Sequence, residues 1–383
     1  MTHVRDVVIV GGGVMGSAIG RFLTADPAFD GSVTIVERDP TFERASSALS
    51  AASIRQQFST PENIRMSRFS FEWLQQQPGI DLHEAGYLYL AGPSGIDTLR
   101  HNHAVQRAEG VDVVLLSPDE LAGRFPWLAV DGIAAGSLGR SGEGWFDGYA
   151  LLRTLRSAAR EGGADLVTGE VVALGQRGDR LTSVELGDGS SIPCGTVVDA
   201  AGPWAAEVAA MAGVVLPVEA RRRSVFVFDV ASDLPGCPLV IDPSGAWFRP
   251  DGGSFIAAIA PPEAEDLPGL PLEVDHRDFA DRLWPALAAR VPAFDAIRLL
   301  RAWAGYYEVD TWDHNAILGR HPEIANLLFA NGFSGHGIQQ APAVGRAIAE
   351  LIVHGRFVTL DLGVFGFERI AAGRRVVERN VIG

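Results

Sequence analysis

Apolar spacing divides the chain into short strands and helices from its first residues. Asp6 to Val10 (DVVIV) is a β-branched run of the kind that forms a strand buried on both faces of a parallel sheet. Residues 17–26 (SAIGRFLTAD) switch to a helical period, and SVTIVER returns to a strand ending at Glu37. EAGYLYLA (84–91) alternates, and ALLRTLRSAAR (150–160) is a helix capped by Asp147 and stopped at Gly162. GGADLVTGEVVALG (162–175) reads as a turn and a strand, and RLTSVELGDGSSIPC as a hairpin turning at Asp188–Gly189. TVVDAAGPWAAEVAAMAG predicts a strand, Gly202, then a helix with Pro203 at its first position. RSVFVFDV (223–230) is strand-like, and AWFRPDGGSFIAAIA is a hairpin turning at Asp251–Gly252–Gly253. NLLFANGF is a last apolar strand; the turn SGHG follows, with a helix after Gln339.

Between the first strand and the first helix lies GGGVMG, which places Gly11, Gly13 and Gly16 in the G-x-G-x-x-G spacing. Gly11 makes the tight turn, Gly13 lets a pyrophosphate approach the backbone, and Gly16 allows the helix to pack on the strand. The helix N-terminus turns free N–H groups and a positive dipole end toward the phosphates. Glu37, 21 residues beyond Gly16, is placed to accept both ribose hydroxyls and disfavours a 2′-phosphate. A glycine triplet alone is weak; set between strand and helix, with the acid at this distance, it identifies a dinucleotide site. Two features favour FAD over NAD. A run of small and hydroxyl residues after Glu37, including Ser46, Ser47, Ala51, Ala52 and Ser53, can pass beneath a bulky cofactor. A meander is also inserted between the Rossmann strands.

Composition narrows the chemistry. With 383 residues, two domains and ample apolar surface are expected. The net charge of -15, with no basic run longer than Arg221–Arg223, argues against nucleic acid. All 32 basic residues are arginines, which removes a P-loop lysine, a Schiff-base lysine and a lysine general base. Cys194 and Cys237 fit neither a metal spacing nor a disulfide framework and point to a reducing cytoplasm. His314 and His321, seven apart with no cysteine partner, do not make a zinc site, and no metal is expected. The apolar start is too short and Gly-rich for a membrane span or a signal peptide.

VIVGGGVMG, IVERD, the Ser-rich segment 46–53, VVDAAGPWA, WAGYYEVDTWDHNAILG and GFSGHGIQQAPAVGRAIAELI together resemble the D-amino acid oxidase superfamily of FAD enzymes, over nearly the whole chain. SIRQQFSTPENI, WAGYY and GFSGHGIQQAP are most similar to the branch containing the mitochondrial FAD-dependent oxidoreductase domain protein linked to complex I assembly. The resemblance implies a Rossmann-like FAD-binding domain of glutathione-reductase type, drawn from 1–80, 145–215 and 300–383. A discontinuous mixed β-sheet substrate domain would come from 81–144 and 216–299. It further implies noncovalent FAD contacts at Val14, Met15, Arg38, Val172, Ala201, Gly202, Trp204, Gly305, Gly332, Gly335, Gly337 and Ile338.

His336, between Gly335 and Gly337, is expected near the flavin ring, with the following helix pointing its N-terminus at the ring's pyrimidine edge. A substrate carboxylate needs a fixed cation, and only arginine can serve here; the resemblance implies Arg55, near where monomeric sarcosine oxidase places its carboxylate-binding arginine, and Arg222 or Arg223, where D-arginine dehydrogenase has a similar RRS. Trp247 and Tyr306 could wall the pocket. Tyr307 and Gln339 stand where D-arginine dehydrogenase has an arginine and sarcosine oxidase a lysine, which weakens a plain α-amino-acid carboxylate. The expected reaction removes a hydride from the carbon beside an amine of a small amine or amino acid, leaving an imine that water hydrolyses. The alternatives are a 2-hydroxy-acid dehydrogenase with His336 as base, or a flavin-carrying assembly factor without turnover. The missing lysine, with Arg249 the nearest substitute, favours a quinone or protein carrier over O₂ as electron acceptor. The oligomeric state is not encoded in these patterns.

Overall fold

A computed structural model describes residues 6–379; positions 1–5 and 380–383, the outer ends of the expected cofactor domain, lie outside the described residues. Two large sheets carry the architecture, each with its own apolar core.

The first is six-stranded, in the spatial order Ile317–Arg320, Leu327–Asn331, Thr196–Asp199, Val7–Val10, Val33–Glu37, Asp165–Thr168. All neighbours are parallel except the outermost pair, Ile317–Arg320 and Leu327–Asn331. Val7–Val10 is buried at every position, as expected of a strand covered by layers on both faces. One layer contains the helices Val14–Ala25, Gly148–Glu161 and Gly337–His354. Gly345 lets the last of these lie directly on the first: a Cβ at that position would come 2.7 Å from the Cβ of Ala18. Asp147 caps the Gly148–Glu161 helix by accepting from the Ala150 N–H at 2.9 Å.

The stretch read as one strand across 162–175 is two. Asp165–Thr168 completes the parallel sheet, while Val171–Arg177 starts a separate three-stranded meander with Arg180–Leu186 and Ser191–Pro193. The break falls at Gly169, whose N–H bonds the Glu37 carbonyl at 3.0 Å.

The second sheet is eight-stranded and mixed, in the order Arg298–Asp310, Val218–Asp229, Ser254–Ala258, Trp247–Asp251, Leu239–Ile241, Tyr87–Ala91, Ala135–Gly139, Val113–Leu116. Only Leu239–Ile241 and Tyr87–Ala91 run parallel. Tyr87–Ala91 is buried at all five positions, so the alternation in EAGYLYLA separates two packed faces, not core from solvent. Arg298–Asp310 pairs along almost its whole length with Val218–Asp229 and belongs to this sheet, although it follows the boundary at 300 expected from the sequence. It is the strand on which the two halves meet. Gly305, Tyr307 and Glu308 sit on it facing groups from the first half.

Candidate active site

At the nucleotide end, the turn after Val10 is shaped by what its glycines lack. Gly11 has φ +102°, and a Cβ there would strike the Ala200 carbonyl; one on Gly16 would strike the Gly11 carbonyl. Glu37 Oε2 accepts from the Gly12 N–H at 2.7 Å and Oε1 from the Asp39 N–H at 2.9 Å, which fixes the carboxylate beside the turn. Arg156, on the helix Gly148–Glu161, brings Nη1 to within 3.1 Å of where a Gly12 Cβ would sit; that nitrogen is buried with no hydrogen-bond partner. An open glycine turn at a helix N-terminus, a fixed acid and an orphaned guanidinium nitrogen suit an adenosine diphosphate group: free N–H donors and a cation for phosphate, acceptors for ribose. FAD therefore fits the residues present.

Beyond Gly13 opens a cleft of about 1300 Å³, part of it continuous with solvent. It brings together most of the residues expected from the sequence: Val14, Met15, Ser46, Ser47, Ala51, Ala52, Ser53, Arg55, Arg223, Trp247, Gly305, Tyr306, Tyr307, Gly335, His336, Gly337, Ile338 and Gln339. Others lie outside its wall. Val172 is half-exposed on the meander. Trp204 stacks under the Arg38 guanidinium at 3.8 Å and meets Tyr306 edge-on, next to Ala201 and Gly202. Gly332 is buried in the turn after Leu327–Asn331 with φ +74°. The helix Gly337–His354 starts three residues earlier than expected, so Gln339 lies in its first turn and His336 at its N-cap position.

Arg55 follows the two-residue strand Ser53–Ile54, and the backbone on both sides of it is held by distant groups. Its own N–H donates to Gln339 Oε1 at 2.9 Å. Glu143 accepts from the N–H groups of Gln56 and Gln57, at 2.5 and 3.0 Å. Glu378 accepts from Ser59 and Thr60, just ahead of the helix Pro61–Gln75, and from Asn63 Nδ2 at 3.0 Å. Burial pushes Glu143 up to about 7, against N–H donors that favour its ionised form. Both nearby carboxylates are thus engaged by backbone, and among the described residues none forms an ion pair with Arg55.

The Arg55 guanidinium instead meets His336: Nη2 lies 2.8 Å from His336 Nε2, its plane covers Phe58 at 4.5 Å, and its buried Nε has no partner. Arg223, by contrast, forms a two-pronged pair with Asp266 at 2.7 and 3.0 Å. Arg249 is buried, engaged by Asp251 and the Ala51 carbonyl, and absent from the cleft wall. His321 Nδ1 accepts from two backbone N–H groups, of Glu323 and Ile324, a turn-stabilising role.

Glu308, inside the quoted WAGYYEV motif, was not singled out from sequence. Its carboxylate lines the cleft between Gly202, Gly332 and Gly337; Oε2 accepts from the Gly332 N–H at 3.3 Å, and burial pushes the group up to about 8. Arg156 was also passed over, as one of several arginines on an amphipathic helix. A lone glutamate in the apolar and aromatic run WAGYYEV was the available signal for Glu308; Arg156 left none.

The family described as FAD dependent oxidoreductase, DAO, matches residues 6–351. FAD-dependent oxidoreductase domain-containing protein 1 of Xenopus laevis is 42% identical, over 98% of this chain and 85% of its own length. Among solved structures, L-proline dehydrogenase from P. horikoshii superposes with a TM-score of 0.86 at 27% identity, covering 97% of this chain and 99% of its own. Glycine oxidase from Geobacillus kaustophilus does so with a TM-score of 0.80 at 26% identity, covering 94% and 97%.

Proposed function

The chain belongs to the DAO family of FAD-dependent oxidoreductases, and from that premise we propose that it oxidises the C–N bond of a small amino acid, giving an imine that water hydrolyses. FAD, held noncovalently, supplies the acceptor for the hydride. The observation that carries the amino-acid reading is Arg55: a buried guanidinium on the cleft wall, with an orphaned Nε and, among the described residues, no carboxylate paired to it. A fixed cation in that state is complementary to a substrate carboxylate, which it can meet in the forked geometry. The likeness to L-proline dehydrogenase and glycine oxidase, both named for amino-acid donors, supports the same class.

The chain's own residues orient and exclude. Arg55 anchors the carboxylate, Tyr307 and Trp247 wall the space beside it, and the N-terminus of the Gly337–His354 helix faces the cleft with its free N–H groups. Holding the reacting C–H in line contributes up to about 7–11 kcal/mol at the upper end of proximity effects. No protein base is required when the amine binds neutral. The hydroxy-acid alternative needs one, and His336 is poorly available because its Nε2 already accepts from Arg55.

Electrons then leave to a quinone or protein carrier in preference to O₂. The chain has no lysine, Arg249 is tied to Asp251, and Arg55 is neutralised by the bound carboxylate. No helix among the described residues is long and apolar enough to cross a membrane. Anaerobic mixing with proline, glycine, N-methyl amino acids and 2-hydroxy acids tests the reading. Bleaching of the flavin band by an amino acid supports it, bleaching only by hydroxy acids overturns it, and no bleaching by any of them returns the non-catalytic alternative. Reoxidation in air matching turnover with artificial acceptors would make the protein an oxidase.

A further inference from the structure

The bond between Arg55 and His336 fixes more than a position. A guanidinium has five N–H donors and no acceptor, and its pKa excludes deprotonation. At 2.8 Å from Arg55 Nη2, the Nε2 of His336 must therefore be the acceptor, which leaves the ring's proton on Nδ1. We propose that His336 is a positioning residue: a neutral, single-tautomer anchor that holds the Arg55 guanidinium in the cleft without cancelling its charge.

The surroundings favour this division of labour. His336 is buried, with Phe58 edge-on to it at 5.2 Å, and Phe58 also lies under the guanidinium at 4.5 Å. The charged and titratable groups around the pair are Arg55 itself, His314 on the loop after Arg298–Asp310, and, around the guanidinium, Tyr87, Tyr89, Tyr307, Glu143 and Glu378. Burial, then the charge of Arg55, then His314, hold His336 well below its ordinary value, so it stays neutral through the physiological range. The two carboxylates able to neutralise Arg55 are engaged by the N–H groups of Gln56, Gln57, Ser59 and Thr60. A carboxylate in place of His336 would hold the guanidinium equally well but remove the net charge a ligand carboxylate needs.

The inference rests on the amino-acid reading above for its ligand, and the test separates the two. The probes are pyrrole-2-carboxylate, a cyclic amino-acid-like anion, and its uncharged carboxamide, each titrated into FAD-loaded protein and followed by the flavin difference spectrum. His336→Ala should weaken the carboxylate by about tenfold or more, some 1.4 kcal/mol, and leave the carboxamide unchanged. His336→Gln, which keeps a neutral acceptor, should restore most of that affinity; His336→Asp should be at least as poor as Ala. In turnover the loss should fall on KM and not on kcat. Equal effects on both probes, or rescue by Asp but not Gln, would overturn the anchor.

Ring ¹⁵N NMR of the wild type supplies a readout independent of any ligand. The expected state is a protonated Nδ1 and bare Nε2 from pH 8 to below 6; an imidazolium at pH 6 or a protonated Nε2 overturns the proposal. If the wild type shows that tautomer yet binds the carboxylate no better than the carboxamide, the anchor stands and the amino-acid reading fails.

Discussion

The two ends of the cleft are built on opposite plans. At the nucleotide end, four glycines within six residues leave backbone uncovered, and one local acid, Glu37, is fixed by the same turn. At the Arg55 end, the working groups are side chains from five separated stretches, around residues 55, 223, 247, 307 and 336–339. The first depends chiefly on missing side chains. The second depends on a buried charge whose natural counter-charges are engaged elsewhere, and so on every group that keeps them there.

The largest expected effect breaks the first plan. Gly16→Val drives a side chain into the Gly11 carbonyl, a clash with backbone that no rotamer change relieves, and should prevent recovery of folded, yellow protein. Gly13 differs: a Cβ there would lie 3.4 Å from Ser47 Oγ with φ outside the left-handed region, so Gly13→Ala should keep the apoprotein's Tm while FAD affinity falls. Thermal melts with and without FAD separate the two; equal apo destabilisation would mean both glycines serve packing alone.

Next comes the second plan. Arg55→Met keeps apolar volume but deletes the cation, and should weaken a carboxylate ligand by about 2–5 kcal/mol with FAD retained. Arg223→Met should do much less, since Asp266 already holds that guanidinium. Reversal of that order in ligand titrations would move the anion site to Arg223.

A smaller effect reaches the cleft from the chain's far end. Glu378→Gln loses the carboxylate that accepts from Ser59, Thr60 and Asn63 at the entry to the Pro61–Gln75 helix and should lower stability by about 1–2 kcal/mol, read as a shift in Tm. A variant as stable as the wild type would show that these bonds are solvent-replaceable.

The smallest concerns pH. Glu308 is pushed up from its ordinary value to about 8 by burial, so between the unfolded value and 8 the native state binds more protons than the unfolded one. Its contribution is full below the unfolded carboxyl range and is lost as pH rises through about 8. The apoprotein's Tm should therefore fall over that window, and Glu308→Gln should flatten the fall; Asp199, also raised to about 8, Glu143, raised to about 7, and Asp310, raised by burial, retain the rest. An unchanged slope in the variant would assign the whole effect to those three groups.

Legibility followed the same divide. The Gly11–Gly16 turn, Glu37, the Asp147 cap and the hairpin at Asp251–Gly253 were readable because each is a local pattern with a local cause. Gly169 defeated the reading of 162–175, since a strand that ends and restarts in another sheet keeps one apolar rhythm. Arg55 and Arg223 looked alike as isolated cations; Asp266, 43 positions beyond Arg223, is what distinguishes them. Arg156 was missed because nothing adjacent in the chain marks it, and Glu308 because the glycines its carboxylate faces, Gly202, Gly332 and Gly337, lie far from it in sequence.

By itself the sequence determined the α/β nucleotide fold, the FAD turn and a pool of arginines as the only fixed cations, because steric freedom and hydrophobic period act over a few residues. Tertiary structure alone decided which arginine stays uncompensated. Charge compensation is settled over a few ångströms of space, and Glu143, Glu378 and His336 reach the Arg55 segment from 86 to 319 positions away.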